Sequence, residues 1–307
     1  MKVLVLGIAG PLGRLVATGL QEDGHTVAGI DRRGSAKLPE GIAVYTADIR
    51  KRPAEEIFRR FSPDVVVHMA TVSHFAARTE ERHRINVGGT RAVFDHCDRW
   101  GVQHAVFVGR HTYYGADADS PLYHSEDEPP MGLASYPELA DLVAADLYAG
   151  SALWRLPKLD TTVLRLCYTL GKTGSGTLAT YLRGRRVPTV LGFDPLFQFM
   201  HELDAAAAIR TAVQSRPRGV FNVAGPAPLP LSVIVREAGR TQVPLPEPLY
   251  AALLGRLGLP RLPRGAIEHI KHAIVVDAAH FSRVTGFRHR FDERTTLREF
   301  RDAFPLA

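Results

Sequence analysis

Residues 1–14 read Met1-Lys-Val-Leu-Val-Leu-Gly7-Ile-Ala-Gly10-Pro-Leu-Gly13-Arg14, and this stretch decides the fold. Val3, Leu4, Val5 and Leu6 form an apolar run too short for a buried helix. Such a run predicts a parallel strand covered on both faces. Gly7, Gly10 and Gly13 follow at once, spaced G-x-x-G-x-x-G. The first glycine permits the tight turn off the strand, the second lets backbone N–H groups approach a pyrophosphate, and the third lets helix pack closely on strand. A helix beginning near Pro11 or Leu12 then aims its positive end at the phosphates.

The residues that follow extend this reading. Gln21–Gly24 ends the helix, Thr26–Ile30 is a second apolar strand, and Asp31 stands eighteen residues after Gly13. A carboxylate there is placed to hydrogen-bond the adenosine ribose hydroxyls and to repel a 2′-phosphate, so NAD is expected ahead of NADP. Arg32 and Arg33 pull the other way, because guanidinium groups accept such a phosphate. A short strand at Val44–Thr46 delivers Asp48 and Ile49. Asp48 can accept from the adenine amine while Ile49 packs on the ring, or Asp48 is an ordinary helix N-cap before Pro53.

Downstream, strand and helix alternate: helix Ala54–Phe61, strand Val65–His68 leading to Met69-Ala70-Thr71, helix His83–Trp100 containing Asn86, and strand Ala105–Val108. That alternation is the mark of an α/β fold with a parallel sheet and right-handed crossovers.

The chain has 307 residues, 45% of them apolar, enough for a sizeable core and against disorder. Net charge is +6. The arginines are scattered, with no basic tract interleaved with aromatics, so nucleic acid is not expected as a partner. Cys97 and Cys167 suggest neither a disulfide framework nor a metal site, and the histidines lack zinc-ligand spacing, so no metal is expected. No signal peptide and no membrane-spanning apolar run is found, and a soluble, cytoplasmic protein is expected.

The order of these motifs resembles the extended short-chain dehydrogenase/reductase superfamily, specifically the NAD-dependent epimerase/dehydratase family. The resemblance runs over nearly the whole chain. It rests on the glycine loop, Asp31, Asp48-Ile49, His68-Met-Ala70, Asn86 with Gly89-Thr90, Tyr114-Gly115 and Tyr136. Thr162-Val-Leu-Arg165-Leu with Gly171, Gln198-Phe-Met-His201-Glu-Leu-Asp204 and Gly219-Val-Phe-Asn222-Val continue it. It implies a Rossmann-like doubly wound parallel sheet with a smaller C-terminal substrate lobe. Residues 1–170 would form the dinucleotide-binding core, with segments around 190–225 returning to it, and 171–307 would be mainly the lobe. Gly7, Gly10, Pro11, Leu12, Gly13, Asp31, Arg32, Asp48, Ile49, Met69, Ala70, Thr71 and Asn86 are then the expected cofactor residues. The implied chemistry is hydride transfer at a carbinol carbon of a small molecule, for instance a nucleotide sugar, in a homodimer paired through a four-helix interface.

The same resemblance implies a catalytic Tyr and Lys spaced Y-x-x-x-K, with a Ser or Thr four residues before the Tyr of the Y-G pair. A phenol needs a nearby cation to ionise near neutrality. Tyr136 matches the Tyr, but Ala140 stands where Lys belongs and Arg110 where Ser or Thr belongs, with Gly109 before it. Replacement candidates lie on the same loop. Arg110 could charge Tyr136 or bind an anionic substrate, His111 is the side chain most easily poised as acid or base, and Thr112, Tyr113 and Tyr114 add hydroxyls. Two functions follow: an enzyme with an atypical catalytic set of Tyr136, Arg110, His111 and Thr112, or a non-catalytic NAD-binding regulatory or structural module.

In the C-terminal part, Arg183, Arg185 and Arg186 could neutralise a diphosphate or form a solvated turn. Gly171–Gly176 reads as a loop rather than a phosphate-binding motif. The leucine-rich segment 246–263 shows helical apolar spacing, fit either to cover the lobe's core or to meet a hydrophobic ligand, a membrane surface or a partner.

Overall fold

The computed structural model describes residues 1–34, 38–72, 79–131, 133, 136–253 and 265–306. Most of the leucine-rich 246–263 segment lies outside them.

The first half alternates as the sequence predicts: β1 (Lys2–Leu6), α1 (Pro11–Glu22), β2 (Thr26–Asp31), β3 (Ala43–Thr46), α2 (Arg52–Phe61), β4 (Val65–His68), α3 (Thr79–Arg99), β5 (His104–Arg110), α4 (Ala140–Arg155) and β6 (Asp160–Leu166). There follow β7 (Tyr168–Leu170), α5 (Thr177–Tyr181), β8 (Arg186–Val190), β9 (Leu196–Phe197), β10 (Phe199–His201), α6 (Glu202–Ser215) and β11 (Gly219–Val223). The chain closes with β12 (Leu229–Pro230), α7 (Leu231–Glu237), β13 (Thr241–Leu245), α8 (Glu247–Leu253), α9 (Ala266–Lys271), α10 (Ala279–Thr285) and α11 (Glu293–Ala303).

Seven strands form one sheet in the order β11-β6-β5-β4-β1-β2-β3, and every neighbouring pair is parallel. This is the Rossmann-like doubly wound arrangement, with its switch point between β1 and β4, where ligands bind outside the strands' carboxyl ends. Alternation along the strands divides the core. Val3 and Val5 pack on one face with Val16, Leu20 and Ile209 of α1 and α6, and Leu4 and Leu6 pack on the other with Phe58, Phe94 and Ala145 of α2, α3 and α4. A third apolar cluster, including Leu178, Val187, Phe199, Tyr250 and Phe300, holds the C-terminal elements together.

Local chemistry fixes the ends. Pro11 opens α1, where a missing N–H costs nothing. Asp292 Oδ1 accepts from Thr295 N at 2.7 Å to cap α11, and His201 Nδ1 accepts from Leu203 N at 3.1 Å to cap α6.

Candidate active site

The glycine loop is built as its spacing requires. Gly7 has φ +89° and donates to Ile30 O at 2.8 Å, and a Cβ on it would fall 2.9 Å from the carbonyl carbon of Met69. A Cβ at Gly13 would lie 2.4 Å from Gly7 O, so only glycine lets α1 close on the turn. No side chain caps α1. The unsatisfied N–H groups of its first turn therefore face the turn, as a pyrophosphate requires.

Asp31 ends β2 and is buried. Its Oδ2 accepts from Ala9 N at 3.0 Å and its Oδ1 from Arg33 N at 2.9 Å, which locks the glycine loop to the strand end. The carboxylate retains lone pairs for ribose hydroxyls. Arg33 Nε also reaches Oδ1, at 3.4 Å, and Arg32 forms an exposed pair with Glu81 at 3.9 Å. Asp48 is held by Arg50 through two contacts, at 2.9 and 2.5 Å, and the hydrogen bonds from Arg50 bring its pKa down to about 2. Ile49 is buried beside Gly89 of α3. Met69, Ala70 and Thr71 follow β4, tied to β1 through Met69 N and Leu6 O at 2.9 Å. These residues fit the dinucleotide the glycine spacing predicts.

Asn86 positions the next stretch. Its Oδ1 accepts from Val72 N at 2.7 Å, and its Nδ2 donates to Val72 O at 3.0 Å and to Asp141 Oδ2 at 2.7 Å. Asp141 Oδ1 in turn accepts from Arg82 Nη2 at 2.7 Å, and the same guanidinium donates to Glu138 O at 2.6 Å. Arg82 and Asp141 are both buried. This network clamps the loop after β4 to the entrance of α4, where Tyr136 lies. Sequence reading missed it, because Arg82 and Asp141 meet only through the fold.

Tyr136 does not sit in the geometry that Y-x-x-x-K implies. Pro137–Leu139 forms a single 3-10 turn, so Tyr136 precedes α4 with φ −136° and ψ 69°. Residues four apart share a face only inside an α-helix. Accordingly Tyr136 is buried and Ala140 is exposed. The ring of His269 meets that of Tyr136 edge-on at 4.9 Å, and a Cβ on Gly265 would fall 2.3 Å from the phenol ring. Burial pushes the Tyr136 phenol up from its usual value, the neighbouring Tyr168 and Glu138 add to this, and Arg82 opposes it.

The other candidates gather at the end of β5. Arg110, Thr112 and Tyr113 line a cavity together with Thr71, Leu139 and Val143. His111 is buried, with Nδ1 at 3.2 Å from Leu166 O. A carbonyl can only accept, so Nδ1 carries the proton and Nε2 a lone pair, which has no hydrogen-bond partner among the described residues. Burial, with His269 and Arg110 nearby, brings the His111 pKa down to about 3. Its ring packs edge-on against Tyr168 at 4.4 Å. Tyr168 of β7 and His269 of α9 thus join the cluster, and neither carried a sequence signal.

Tyr113 and Tyr114 are structural. Tyr114 Oη donates to Asn222 Oδ1 at 2.8 Å and accepts from Arg165 Nη1 at 2.9 Å, and the Arg165 guanidinium stacks 3.5 Å over the ring of Tyr113. Arg165 pairs with the buried Asp146 at 2.9 Å. A Cβ at Gly109 would fall 2.6 Å from Asp146 Oδ2. The buried pair therefore takes the space a serine would need. Arg183 donates to Gly174 O at 2.6 Å and lies over Phe304, which engages it within its own lobe.

Comparison with known proteins gives the family. A sequence model of the NAD dependent epimerase/dehydratase family matches residues 3–224. An uncharacterized protein of Mycobacterium tuberculosis is 29% identical over 264 residues, covering 84% of this chain and 69% of that protein. A 3-diazoavenalumate denitrifying reductase of a Streptomyces species is 28% identical over 279 residues, covering 84% of this chain and 87% of that one. Among solved structures, UDP-glucose 4-epimerase of Thermus thermophilus in complex with NAD superposes with a TM-score of 0.79 at 21% identity, covering 100% of each chain. The chain belongs to the NAD dependent epimerase/dehydratase family.

Proposed function

We propose that this enzyme moves a hydride to or from a small organic molecule held over Thr71, Arg110 and Thr112, using an atypical set of groups in place of the phenol–lysine pair. The observation that carries this reading is an intact dinucleotide cradle beside a site whose acid–base groups are weak. When bound, NAD supplies the hydride chemistry and the protein supplies placement. Asp31 would take the ribose hydroxyls and the first turn of α1 would meet the pyrophosphate, while Asn86 fixes the loop after β4 beside this cradle. Tyr136 stays protonated at neutral pH, and the buried His111 is a poor base. Oxidising a carbinol needs a base that takes its proton. Reduction takes a hydride from the reduced cofactor and a proton that water or a protonated phenol such as Tyr136 can give, so it needs no strong base, and the chain is read here as a reductase. The name of the Streptomyces relative, a reductase, supports this. A nucleotide-sugar epimerase, the activity of the Thermus structure, is the second reading. A module that holds NAD without turnover is the third.

We assign the cofactor mainly to residues 1–170, with the later segments around 190–225, and take 171–307 as mainly a lobe that adds to the substrate side. Leu147 and Trp154, 49% and 79% exposed on the outer side of α4, support a homodimer formed through α3 and α4.

The test is NADH oxidation, followed by nicotinamide absorbance, against electron-poor acids, ketones and UDP-sugars. Turnover that survives Tyr136→Phe within about threefold fits this reading, whereas a loss of about a hundredfold would assign the proton to the phenol. NAD binding without turnover of any compound would favour the module.

A further inference from the structure

We propose that Tyr168 is the phenol that gives up the proton in this site, a catalytic residue in the role that motif spacing assigns to Tyr136, with Arg110 as the cation beside it. This rests on the reductase reading above and deepens it.

The other interior phenols are engaged. A Cβ on Gly265 would fall 2.3 Å from the Tyr136 ring, so the backbone of Gly265 lies against that phenol, and His269 meets it edge-on at 4.9 Å. The Tyr114 hydroxyl is bonded to Asn222 and Arg165, the Arg165 guanidinium covers the ring of Tyr113, and Tyr181 and Tyr250 both donate to Pro188 O. Tyr168 is half-buried, and its hydroxyl makes no hydrogen bond among the described residues and is not sealed in the core. That hydroxyl is left for a ligand or for water.

Its place suits the role. Arg110 and Leu166 are register partners at the carboxyl ends of β5 and β6, and Tyr168 opens β7 two residues on. Ligands of open α/β sheets bind at this end of the strands. The ring is held on two sides: His111, anchored to Leu166 O, meets it edge-on at 4.4 Å, and Phe197 stacks on it at 5.6 Å with 17° between the planes. Pairing with Phe199 of β10 fixes its backbone. A phenol so held is oriented before any substrate arrives. Burial pushes the Tyr168 phenol up, and the Arg110 cation opposes this, whereas the cation acting on Tyr136 is Arg82. Tyr168 is therefore a neutral donor at neutral pH, and the anion it leaves has a cation nearby. In the step, Tyr168 Oη gives its proton to the oxygen of a carbonyl substrate as the carbonyl carbon gains the hydride that NADH supplies. The C=O π pair becomes the new O–H bond, and solvent then reprotonates the phenolate beside Arg110.

The test uses the native chain, Y168F, Y136F and R110Q, with NADH affinity titrated for each. One readout is NADH oxidation with phenanthrenequinone as the carbonyl probe. The other, which needs no cofactor, is fluorine NMR of the chain labelled with fluorotyrosine, where residue 168 is assigned by the signal that Y168F lacks. Y168F should lower kcat about a hundredfold with KM and NADH affinity within about threefold, and Y136F should cost no more than about threefold. R110Q should raise the titration midpoint of the signal from residue 168 by about one pH unit or more and leave that from residue 136 nearly in place. Turnover kept by Y168F, or lost about a hundredfold in Y136F, would overturn the assignment. So would a titration at residue 168 that R110Q leaves unchanged. A native chain that binds NADH but reduces no quinone would count against the reductase reading, and the assignment would then stand or fall on the titration. Failure of NADH to bind the native chain would instead overturn the cofactor reading.

Discussion

Asn86 and Asp141, 55 residues apart, are joined by a 2.7 Å hydrogen bond from Nδ2 to Oδ2. Through it the loop after β4 is held against the entrance of α4, and Arg82 completes the clamp from α3. Asp141→Ala removes the carboxylate that pairs with the buried Arg82 guanidinium, and a loss of about 3–5 kcal/mol is expected in urea unfolding. A loss under about 1 kcal/mol would mean that the pair behaves as a surface ion pair.

Gly13→Ala tests the closure of the turn. The added methyl must displace Gly7 O from 2.4 Å. We expect a cost of about 1–3 kcal/mol in stability, together with weakened NAD binding. An unchanged melting midpoint and unchanged NAD affinity would show that α1 need not pack so closely.

Ala140→Lys restores the sequence pattern but not its geometry, because the 3-10 turn separates position 140 from Tyr136. Any oxidoreductase rate should stay within about twofold of the native value. A rise of about tenfold or more would show that the lost lysine is the only defect.

Acid stability follows from the buried imidazoles. Burial brings the pKa of His68 and His111 down to about 3 and that of His104 and His269 down to about 4. Unfolded, each ring takes up a proton below about 6.5, whereas folded it does not until far lower pH. The unfolded state therefore binds more protons between these values, and stability falls as pH drops from about 6.5 toward 4. Each ring contributes up to about 1.4 kcal/mol per pH unit. Urea unfolding at stepped pH should show uptake of two or more protons near pH 5, by order of magnitude, and no uptake there would contradict the burial of these rings.

How much of this was legible in the sequence depends on range. Gly7, Gly13 and Asp31 act through neighbours fixed by local geometry, so their spacing gave the strand, the turn and the cofactor. The Arg82–Asp141–Asn86 clamp, the Arg165–Asp146 pair and the approach of His269 to Tyr136 join residues from separate elements. No periodicity encodes such meetings. Tyr136 shows the limit of motif spacing: the tyrosine matches, yet Pro137 starts a 3-10 turn, and the face shared by positions 136 and 140 is lost. The crowding of Gly109 by Asp146 likewise explains a departure that the sequence could only record.

The most direct test of the account is titration of the purified native chain and Asp31→Ala with NAD and NADP. The native protein should prefer NAD by about tenfold or more, and Asp31→Ala should lose about tenfold for NAD and most of that preference. No binding of either dinucleotide by the native chain, or affinities that Asp31→Ala leaves unchanged, would contradict the account.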